Sequence, residues 1–405
     1  MKERRNGFRR AQMDAKEKIL ALHSRGIMLG LERMKRACGM LGNPERSFTS
    51  IHVAGTVGKG STSSFLASIL QEAGNRVGLY LSPHIYRYNE RMQVNGKKIS
   101  DKEIEGIYGR ISRLPVKLTF FEFTTLMAFL HYAKKKCSFA VLEAGLGGRL
   151  DATRVAEGRY CIITRIDFDH AQILGGTLAK IAREKCGLIR KGGTVITIRQ
   201  KGEVMQVIKK ECAKKGAKLI IAKPLPKEIA LGLNGSFQRE NASLAYAFAR
   251  EIGIGEKGIR KGLKKAFIPA RMEFLKGKHR VLLDSAHNPT GVWALARELK
   301  KIPHARLIVI FAAMKDKEYE KEIWRLAREA DVFICTQVSI ERSENHAKLY
   351  EIAKKYCKNP LAVKDARIAL PIAKSLAKKK DLILVAGSIY LISEIFGKKE
   401  EVMGM

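Results

Sequence analysis

Short apolar runs rich in β-branched residues alternate with longer segments of helical periodicity along most of the chain. The apolar runs predict strands at 49–54, 76–81, 138–143, 160–165, 193–198 and 218–222. The intervening segments predict helices over 60–73, 121–134, 177–186, 203–215 and 237–251. Strands that alternate with helices indicate βαβ units and a largely parallel sheet. Segment 89–100, with Asn95-Gly96 between alternating residues, predicts a hairpin excursion from that sheet.

A second α/β series follows. Its predicted strands lie near 280–284, 306–311, 332–336 and 382–386, and its predicted helices span 290–300, 318–329, 345–356 and 366–378. Pro269 interrupts a basic helical segment between the two series, so the boundary is expected near Phe267 to Arg271. The pattern therefore predicts two domains, 1–268 and 269–405. Residues 1–20 form a basic lead-in with a helical pattern.

Composition narrows the class of protein. The 405 residues include seven scattered cysteines without a Cys-x-x-Cys pair, as expected of a chain in a reducing compartment. No apolar run reaches membrane-spanning length, and the polar N-terminus mixes acids and bases. These features predict a cytoplasmic protein without a membrane partner.

The formal charge of +36 would attract polyanions such as nucleotides, polycarboxylates or nucleic acid. The lysines are nevertheless spread along the chain, for example at Lys134 to Lys136 and Lys378 to Lys380, and do not form one stripe with interleaved aromatics. This dispersion argues for a solvated surface and against dedicated nucleic-acid binding.

A glycine-rich turn follows the first predicted strand. It contains Gly55, Thr56, Gly58, Lys59, Gly60 and Ser61. Such a turn brings successive N–H groups and the positive end of the next helix towards phosphate oxygens, and Lys59 adds a positive charge. Gly60 separates Lys59 from Ser61, which differs from the Walker spacing. The turn predicts a nucleotide site, and so a P-loop-containing parallel-sheet ATPase domain. The second α/β series predicts a smaller Rossmann-like α/β domain after it.

Polar residues with metal or phosphate chemistry follow other predicted strands. Ser82, Glu143 and His170 are expected at one sheet edge, where an acid can hold Mg²⁺ against phosphates. Asp284 and His287 take similar positions in the second series, and the guanidinium of Arg271 could reach phosphate across a cleft. The charged triplet Arg183 to Lys185, taken alone, predicts only a solvated helix face.

Taken in order, these motifs resemble the folylpolyglutamate synthase and dihydrofolate synthase family of the Mur ligase superfamily. The resemblance spans about residues 30–395. It is carried by Gly30 to Arg33, Leu41 to Pro44, His52 to Thr62, Ser82 to His84, Asn89 to Arg91, Phe121-Glu122, Glu143 to Thr153, Asp169-His170, Leu174 to Thr177, Ile181 to Gly187, Gln238 to Ala242, Arg271, Asp284 to Pro289 and Gly387 to Tyr390. The Gly-Lys-Gly-Ser form of the phosphate loop is typical of this family.

The resemblance implies an ATP-dependent amide ligase that adds L-glutamate to a folate or pterin carboxylate through an acyl phosphate. ATP phosphates would lie at Gly58, Lys59 and Gly60, and magnesium, as two ions, at Ser82, Glu143, His170 and a carbamylated Lys185. The residues implied to contact nucleotide are Asn241, Arg271 and Asp284; those implied to bind the pterin are Thr119, Phe120, Phe121, Glu122, Leu150, Asp151 and Ala152. His287 would position the amino acid or serve as a structural cap, and a monomer is expected.

Several positions depart from the family pattern. Val57 and Arg154 stand where asparagines are usual, Ala270 replaces a glycine, and Arg165 to Phe168 is unusual before Asp169-His170. The changes at 57 and 154 flank the expected nucleotide and pterin contacts and so bear on the acceptor. A methanopterin-like pterin or a peptide precursor therefore stays open as the acceptor of a related Mur-type ligase. A basic P-loop ATPase acting on nucleic acid is the alternative from another functional class.

Overall fold

The computed structural model describes residues 14–168 and 171–397. Eight strands form the first sheet: β1 Thr49–Ala54, β2 Val77–Tyr80, β3 Met92–Val94, β4 Lys97–Lys98, β5 Phe139–Glu143, β6 Tyr160–Ile163, β7 Thr194–Thr197 and β8 Lys218–Ile221. Six form the second: β9 Glu273–Leu275, β10 Arg280–Leu283, β11 Leu307–Phe311, β12 Val332–Gln337, β13 Pro360–Asp365 and β14 Leu382–Ala386.

Helices α1 to α10 accompany the first sheet. They are α1 Ala15–Ala21, α2 Glu32–Met40, α3 Lys59–Glu72, α4 Asp101–Ile111, α5 Phe120–Lys134, α6 Ala171–Leu174, α7 Leu178–Lys185, α8 Gly202–Lys215, α9 Gln238–Glu251 and α10 Glu256–Lys265. The second sheet carries α11 Pro289–Leu299, α12 Tyr319–Ala327, α13 His346–Ala353, α14 Ala366–Leu376 and α15 Ile389–Phe396. None of the helices in 14–168 or 171–397 is both long and apolar enough to cross a bilayer.

The first sheet has the strand order β4-β3-β2-β5-β1-β6-β7-β8. Strands β2, β5, β1, β6, β7 and β8 are parallel, and β3 and β4 form the predicted antiparallel hairpin. Asn95 and Gly96 both have positive φ at its turn, 47° and 73°, as a two-residue hairpin loop requires. Because β1 lies between β5 and β6, the loops after all three strands meet at one edge of the sheet.

The second sheet has the order β13-β12-β11-β14-β10-β9, with only β9 antiparallel among its described strands. The prediction of two parallel-rich α/β sheets is confirmed. The edge strands β9 and β13 were not predicted from the sequence. β9 has only three residues, and three of the six residues of β13 are polar or proline, so neither shows the apolar run of a central strand. The predicted boundary between residues 268 and 269 falls in the connection between α10 and β9.

Buried apolar side chains fill the space between the first sheet and the helices on its faces. Helices α3, α9 and α10 pack on one face of the first sheet around Phe65, Leu66 and Phe248, all at most 1% exposed. Helices α4 and α5 pack around Phe129 and Tyr132 at the β2–β5 side. This burial fixes the sheet edge at which the loops of β1, β5 and β6 converge.

One carboxyl group in the core of the second unit lacks compensation. Glu322 of α12 is fully buried, and neither carboxylate oxygen has a hydrogen-bond partner among the described residues. Burial raises the pKa of Glu322 to about 8, which nearby Lys317 only partly opposes. The folded chain therefore holds a proton there at neutral pH that the unfolded chain releases.

We predict that Glu322→Gln stabilises the protein at alkaline pH. Because the pKa of Glu322 is raised on folding, its contribution to stability is complete below about pH 4.5 and is lost as the pH rises through about 8. The advantage of the glutamine variant in unfolding free energy should grow by on the order of 4 kcal/mol between pH 4.5 and pH 8, since folding raises the pKa of Glu322 from 4.5 to about 8. Thermal unfolding across that range tests this, and parallel pH profiles for the two proteins would contradict it.

Candidate active site

The phosphate loop connects β1 to α3 at the centre of the first sheet. The N–H groups of Thr56 and Val57 both donate to the carbonyl oxygen of Arg165, at 2.8 and 3.2 Å. These two amides are therefore occupied, whereas the first-turn amides of α3, at residues 59–61, have no intrahelical acceptor. The N-terminus of α3 is thus the part of the loop that can receive phosphate oxygens.

Gly58 is the N-cap of α3 and has a φ of 89°. A Cβ at this position would lie 2.0 Å from Oδ1 of Asn241, the residue predicted to contact nucleotide. The side-chain amide of Asn241 donates to Oε1 of Gln238 at 2.9 Å, and this bond fixes the Asn241 side chain against the phosphate loop. The closeness of α9 to the loop explains why only glycine fits at position 58.

Two lysine ammonium groups meet at the carbonyl oxygen of Gly55. Lys59 Nζ lies 3.2 Å and Lys185 Nζ 2.7 Å from that oxygen. Lys185 is only 5% exposed, so the expectation of a solvated face is wrong for this residue. Its helix buries Ile181 and Ala182, which are four and three residues before Lys185 and share its side of the helix. That spacing is visible in the sequence.

Glu143 ends β5 beside the phosphate loop. Its Oε2 accepts a hydrogen bond from the Ser82 amide at 3.0 Å, and a Cβ on Gly60 would lie 3.6 Å from the same oxygen. Burial raises the pKa of Glu143, and the charge of Lys59 opposes this shift. The structure therefore brings together two of the predicted metal residues, Ser82 and Glu143.

The donor set at this edge suits a hard cation. A buried carboxylate and a neighbouring hydroxyl residue supply oxygen atoms, which Mg²⁺ prefers. The predicted ligand His170 lies outside the described residues. Within 14–168 and 171–397, no three histidine, cysteine or acidic side chains form a group that could hold a metal ion.

The candidate residues of the second unit lie around the end of β10 and the loop that follows it. Asp284 accepts hydrogen bonds from the Met272 and Ala286 amides, both at 2.9 Å. Burial raises the pKa of Asp284, and the Arg271 charge opposes this. Arg271 itself donates to the Ser285 hydroxyl.

Arg271 lies between two residues of left-handed backbone conformation. Ala270 and Met272 have φ values of 52° and 48°, although neither is glycine. His287 Nδ1 lies 2.8 Å from the Ser285 carbonyl oxygen, which fixes the imidazole relative to the same segment. Strained backbone of this kind persists where the surroundings over-determine it, commonly at functional sites.

The segments predicted to bind the acceptor form one wall. Thr119 caps α5, and Glu122 completes a capping box with it while also accepting from Arg33 Nε at 3.0 Å. The Phe121 ring packs against Gly145, where a Cβ would come within 2.5 Å of Cζ. The glycine-rich loop after β5 is therefore in direct contact with the start of α5.

Asp151 organises that loop from within. Its carboxylate accepts from the Gly145 and Leu146 amides at 2.8 and 3.0 Å, and from the Thr153 amide and hydroxyl at 3.0 and 2.6 Å. The neighbours Leu150 and Ala152 are half-buried and buried. Asp151 thus holds the loop in shape with both oxygens.

Arg154, one of the departures from the family pattern, joins this loop to the end of α7. Its Nε donates to the Gly187 carbonyl oxygen at 2.8 Å, and its Nη1 to that of Arg149 at 3.3 Å. Gly187 lies two residues beyond Lys185. Arg154 therefore ties the predicted acceptor loop to the segment that follows the buried lysine.

A cluster that the sequence analysis did not single out lies behind the wall. Phe120 stacks on His23, with ring centroids 3.7 Å apart, and lies 5.0 Å from Arg91 Cζ. Arg91 is 4% exposed and donates to His84 Nδ1 at 2.8 Å. Arg91 belongs to the Asn89 to Arg91 motif, which carries no assigned role in the sequence analysis, whereas His23 has no local sequence signal.

This geometry defines a class of protein: a P-loop nucleotide-binding protein with a phosphate cradle and a buried acid on one sheet edge, followed by a second α/β unit. The Mur ligase middle domain matches residues 53–249, and the Mur ligase glutamate ligase domain matches residues 270–389. The chain is 34% identical to the dihydrofolate synthase/folylpolyglutamate synthase of Bacillus subtilis, over 95% of this chain and 98% of the relative. The chain belongs to the dihydrofolate synthase/folylpolyglutamate synthase family.

Solved structures agree with this assignment. Escherichia coli FolC in complex with DHPP and ADP superposes with a TM-score of 0.86 at 29% identity, covering 95% of this chain and 97% of that chain. A bifunctional folylpolyglutamate synthase/dihydrofolate synthase with Mn, AMPPNP and L-glutamate bound gives a TM-score of 0.85 at 28% identity, covering 95% and 97%. Relatives therefore bind nucleotide and a divalent metal on this fold.

We predict that Gly58→Ala weakens ADP binding by at least about tenfold, because the methyl group meets Asn241 and distorts the cradle. Gly74→Ala is the matched control, since Gly74 has a φ of 86° and a methyl group there would have no described atom within 4 Å. Both variants carry the left-handed strain, and only Gly58→Ala adds the collision. Calorimetric titration with ADP compares them, and equal affinities would show that Asn241 does not set the cradle.

Proposed function

We propose that this protein is an ATP-dependent ligase that joins L-glutamate to a folate-type carboxylate through an acyl phosphate. The observation that carries the proposal is the meeting of the α3 N-terminus, Lys59 and buried Glu143 at one sheet edge. Family membership and relatives bound to ADP, and to AMPPNP with L-glutamate, support it. The alternative of a nucleic-acid ATPase has no comparable support from the site.

In this proposal the phosphate loop holds ATP. The cradle comprises Gly55, Thr56, Gly58, Lys59, Gly60 and Ser61. Amides of the first turn of α3 donate to phosphate oxygens, and the Lys59 ammonium turns from the Gly55 carbonyl towards the transferred phosphoryl group. Asn241 on the first unit, with Arg271 and Asp284 on the second, completes the nucleotide site from both sides.

Magnesium is proposed to bind at Ser82 and Glu143, with His170 as a further ligand. When bound there, it offsets the negative charge of the phosphate oxygens. Lys185 is proposed to be carbamylated. Its ammonium loses a proton, the neutral Nζ bonds to the carbon of carbon dioxide and loses a second proton, and the resulting carbamate would offer oxygen atoms to a second magnesium ion. The buried position of Lys185 at the Gly55 carbonyl supports this, because those oxygen atoms would lie beside the phosphate cradle, where a bound cation would join them to the phosphates.

The chemistry begins with the acceptor. An oxygen of its carboxylate attacks the γ-phosphorus of ATP, and ADP leaves. The glutamate amino nitrogen then attacks the acyl carbon, and a tetrahedral intermediate expels inorganic phosphate as the amide forms. We propose that the His287 imidazole, oriented by its Nδ1 contact with the Ser285 carbonyl, positions the amino acid or accepts its proton.

The acceptor is proposed to lie along the wall formed by Thr119, Phe120, Phe121 and Glu122 with Leu150, Asp151 and Ala152. The half-buried ring of Phe121 offers a flat pterin a stacking surface, whereas Phe120 is buried in contact with His23 and Arg91 and would support that surface. The loop braced by Asp151 lies beside Phe121. Both units of one chain supply the site, which supports the proposal that the enzyme acts as a monomer. Arg154 makes this loop differ from the family pattern and bears on the choice between dihydropteroate and reduced folates.

Glutamate-dependent ADP release tests the function. With Mg-ATP and L-glutamate, we expect turnover with dihydropteroate or tetrahydrofolate and none without an acceptor. Lys185→Ala should lower kcat by at least about a hundredfold, since a charge-bearing group at the phosphates is lost. Equal ADP release with and without acceptor would contradict the ligase, and the preferred acceptor would decide between the two folate activities.

Carbamylation of Lys185 has a separate readout. Purified protein equilibrated with isotopically labelled carbon dioxide should show one carbamate carbon resonance by NMR. Lys185→Arg, which keeps the positive charge of the unmodified lysine but cannot form the carbamate, should lose that resonance while circular dichroism shows the same fold. A resonance that persists in the arginine variant would place the modification elsewhere.

A further inference from the structure

Asp167 connects the phosphate loop to the polypeptide that follows β6. The Thr56 hydroxyl donates to the Asp167 carbonyl oxygen at 2.9 Å, and the Asp167 amide donates back to that hydroxyl at 3.1 Å. A single side chain of the phosphate loop therefore fixes both main-chain polar groups of Asp167. Any shift of Thr56 is transmitted to Asp167.

The Asp167 carboxylate reaches across to the second unit. Its Oδ2 accepts from the Thr290 hydroxyl at 3.0 Å, and its Oδ1 lies 3.1 Å from Lys201 Nζ. The Asp167 side chain is 17% exposed. Hydrogen bonds to a charged, partly desolvated carboxylate are stronger than bonds between neutral groups. A displacement of Asp167 would therefore displace Thr290 with it.

Thr290 lies in the first turn of α11, three residues after His287. Asn288 caps that helix by accepting from the Gly291 amide at 2.9 Å. The segment from His287 to Gly291 is therefore compact, and the Thr290 contact holds it against the phosphate-loop side of the cleft. Asp167 is thus the one residue in the hydrogen-bonded path from Thr56 to Thr290 of the His287 segment.

We propose that Asp167 and Thr290 are positioning residues that couple occupation of the phosphate loop to placement of the His287 segment. This inference rests on the proposed function. Through this coupling, the amino-acid side of the cleft is correctly placed when the acyl phosphate forms. The amine of glutamate then attacks the acyl phosphate before water does.

A different contact between the two units provides the control. Ser236 donates to Glu298 of α11 and accepts from Lys301 Nζ at 3.2 Å, yet it lies in the segment before α9 and not beside Thr56. Ser236→Ala therefore removes a contact between the units without breaking the connection to the phosphate loop. Thr290→Val removes the hydroxyl at nearly constant volume, and Thr290→Ser retains it.

The first experiment measures ADP released per glutamate incorporated. Wild type, Thr290→Ser and Ser236→Ala should release a single ADP per amide formed. Thr290→Val should release at least about twice as much ADP per glutamate incorporated, because acyl phosphate is lost to water. Its kcat/KM for glutamate should be about tenfold lower than that of the wild type. Tight coupling in Thr290→Val, with unchanged kcat/KM for glutamate, would overturn the proposal.

The second experiment does not depend on turnover. Saturating ADP should slow amide hydrogen exchange in the first turns of both α3 and α11 of the wild type. In Thr290→Val the protection of α3 should persist and that of α11 should disappear. Equal protection of α11 in the two proteins would refute the coupling, whereas a wild type without glutamate-dependent turnover would refute only the proposed function.

Discussion

The burial of Glu143 beside the phosphate loop is the constraint on which the site depends. A carboxylate removed from water is stable only when cations and N–H groups compensate its charge. Here the Ser82 amide and the charge of Lys59 oppose the effect of burial in part, since the pKa of Glu143 stays raised. Both groups lie at the sheet edge where β2 and β5 end and α3 begins. The parallel order β2-β5-β1-β6 produces that meeting, because the loops after adjacent parallel strands emerge together. The nucleotide and metal ion proposed to bind here would add further charge. At this edge the protein holds a buried carboxyl group, two lysines and helix-terminal amides close together.

In the proposed mechanism, the second unit supplies the residues that complete the nucleotide site and position the amino acid. Acyl phosphates are hydrolysed readily, so an enzyme that makes one must admit an amine and exclude water. The loop after β10 presents Asp284 and His287 on fixed hydrogen bonds, and the left-handed residues on either side of Arg271 fix its direction. The contact from Asp167 to Thr290 places this loop relative to Thr56 of the phosphate loop. The position of the loop after β10 within the cleft is therefore set by a short chain of hydrogen bonds as well as by packing.

Most of the fold could be predicted from the sequence because the central strands are apolar and the helices between them are amphipathic. The hairpin was predictable from Asn95-Gly96, since few other pairs adopt positive φ at both turn positions. The edge strands β9 and β13 were not, because edge pairing needs no apolar run. For Lys185 the helical spacing from Ile181 and Ala182 indicates a buried side, but its partner, a carbonyl group 130 residues away in the chain, has no local signal. Contacts such as Asp167 with Thr290, between residues of different units, carry no local signal at all. The order of the motifs identified the family, whereas the partners of each side chain required the structure.

The most direct test of the acyl phosphate follows a labelled oxygen atom. An acceptor with heavy oxygen in its terminal carboxylate is incubated with the enzyme, Mg-ATP and L-glutamate, and the inorganic phosphate is analysed by mass spectrometry. In the proposed mechanism, the carboxylate oxygen that attacks the γ-phosphorus departs with the phosphate when the amide forms. One labelled oxygen per phosphate is therefore the predicted result. Phosphate without the label, produced alongside the amide, would contradict the mechanism.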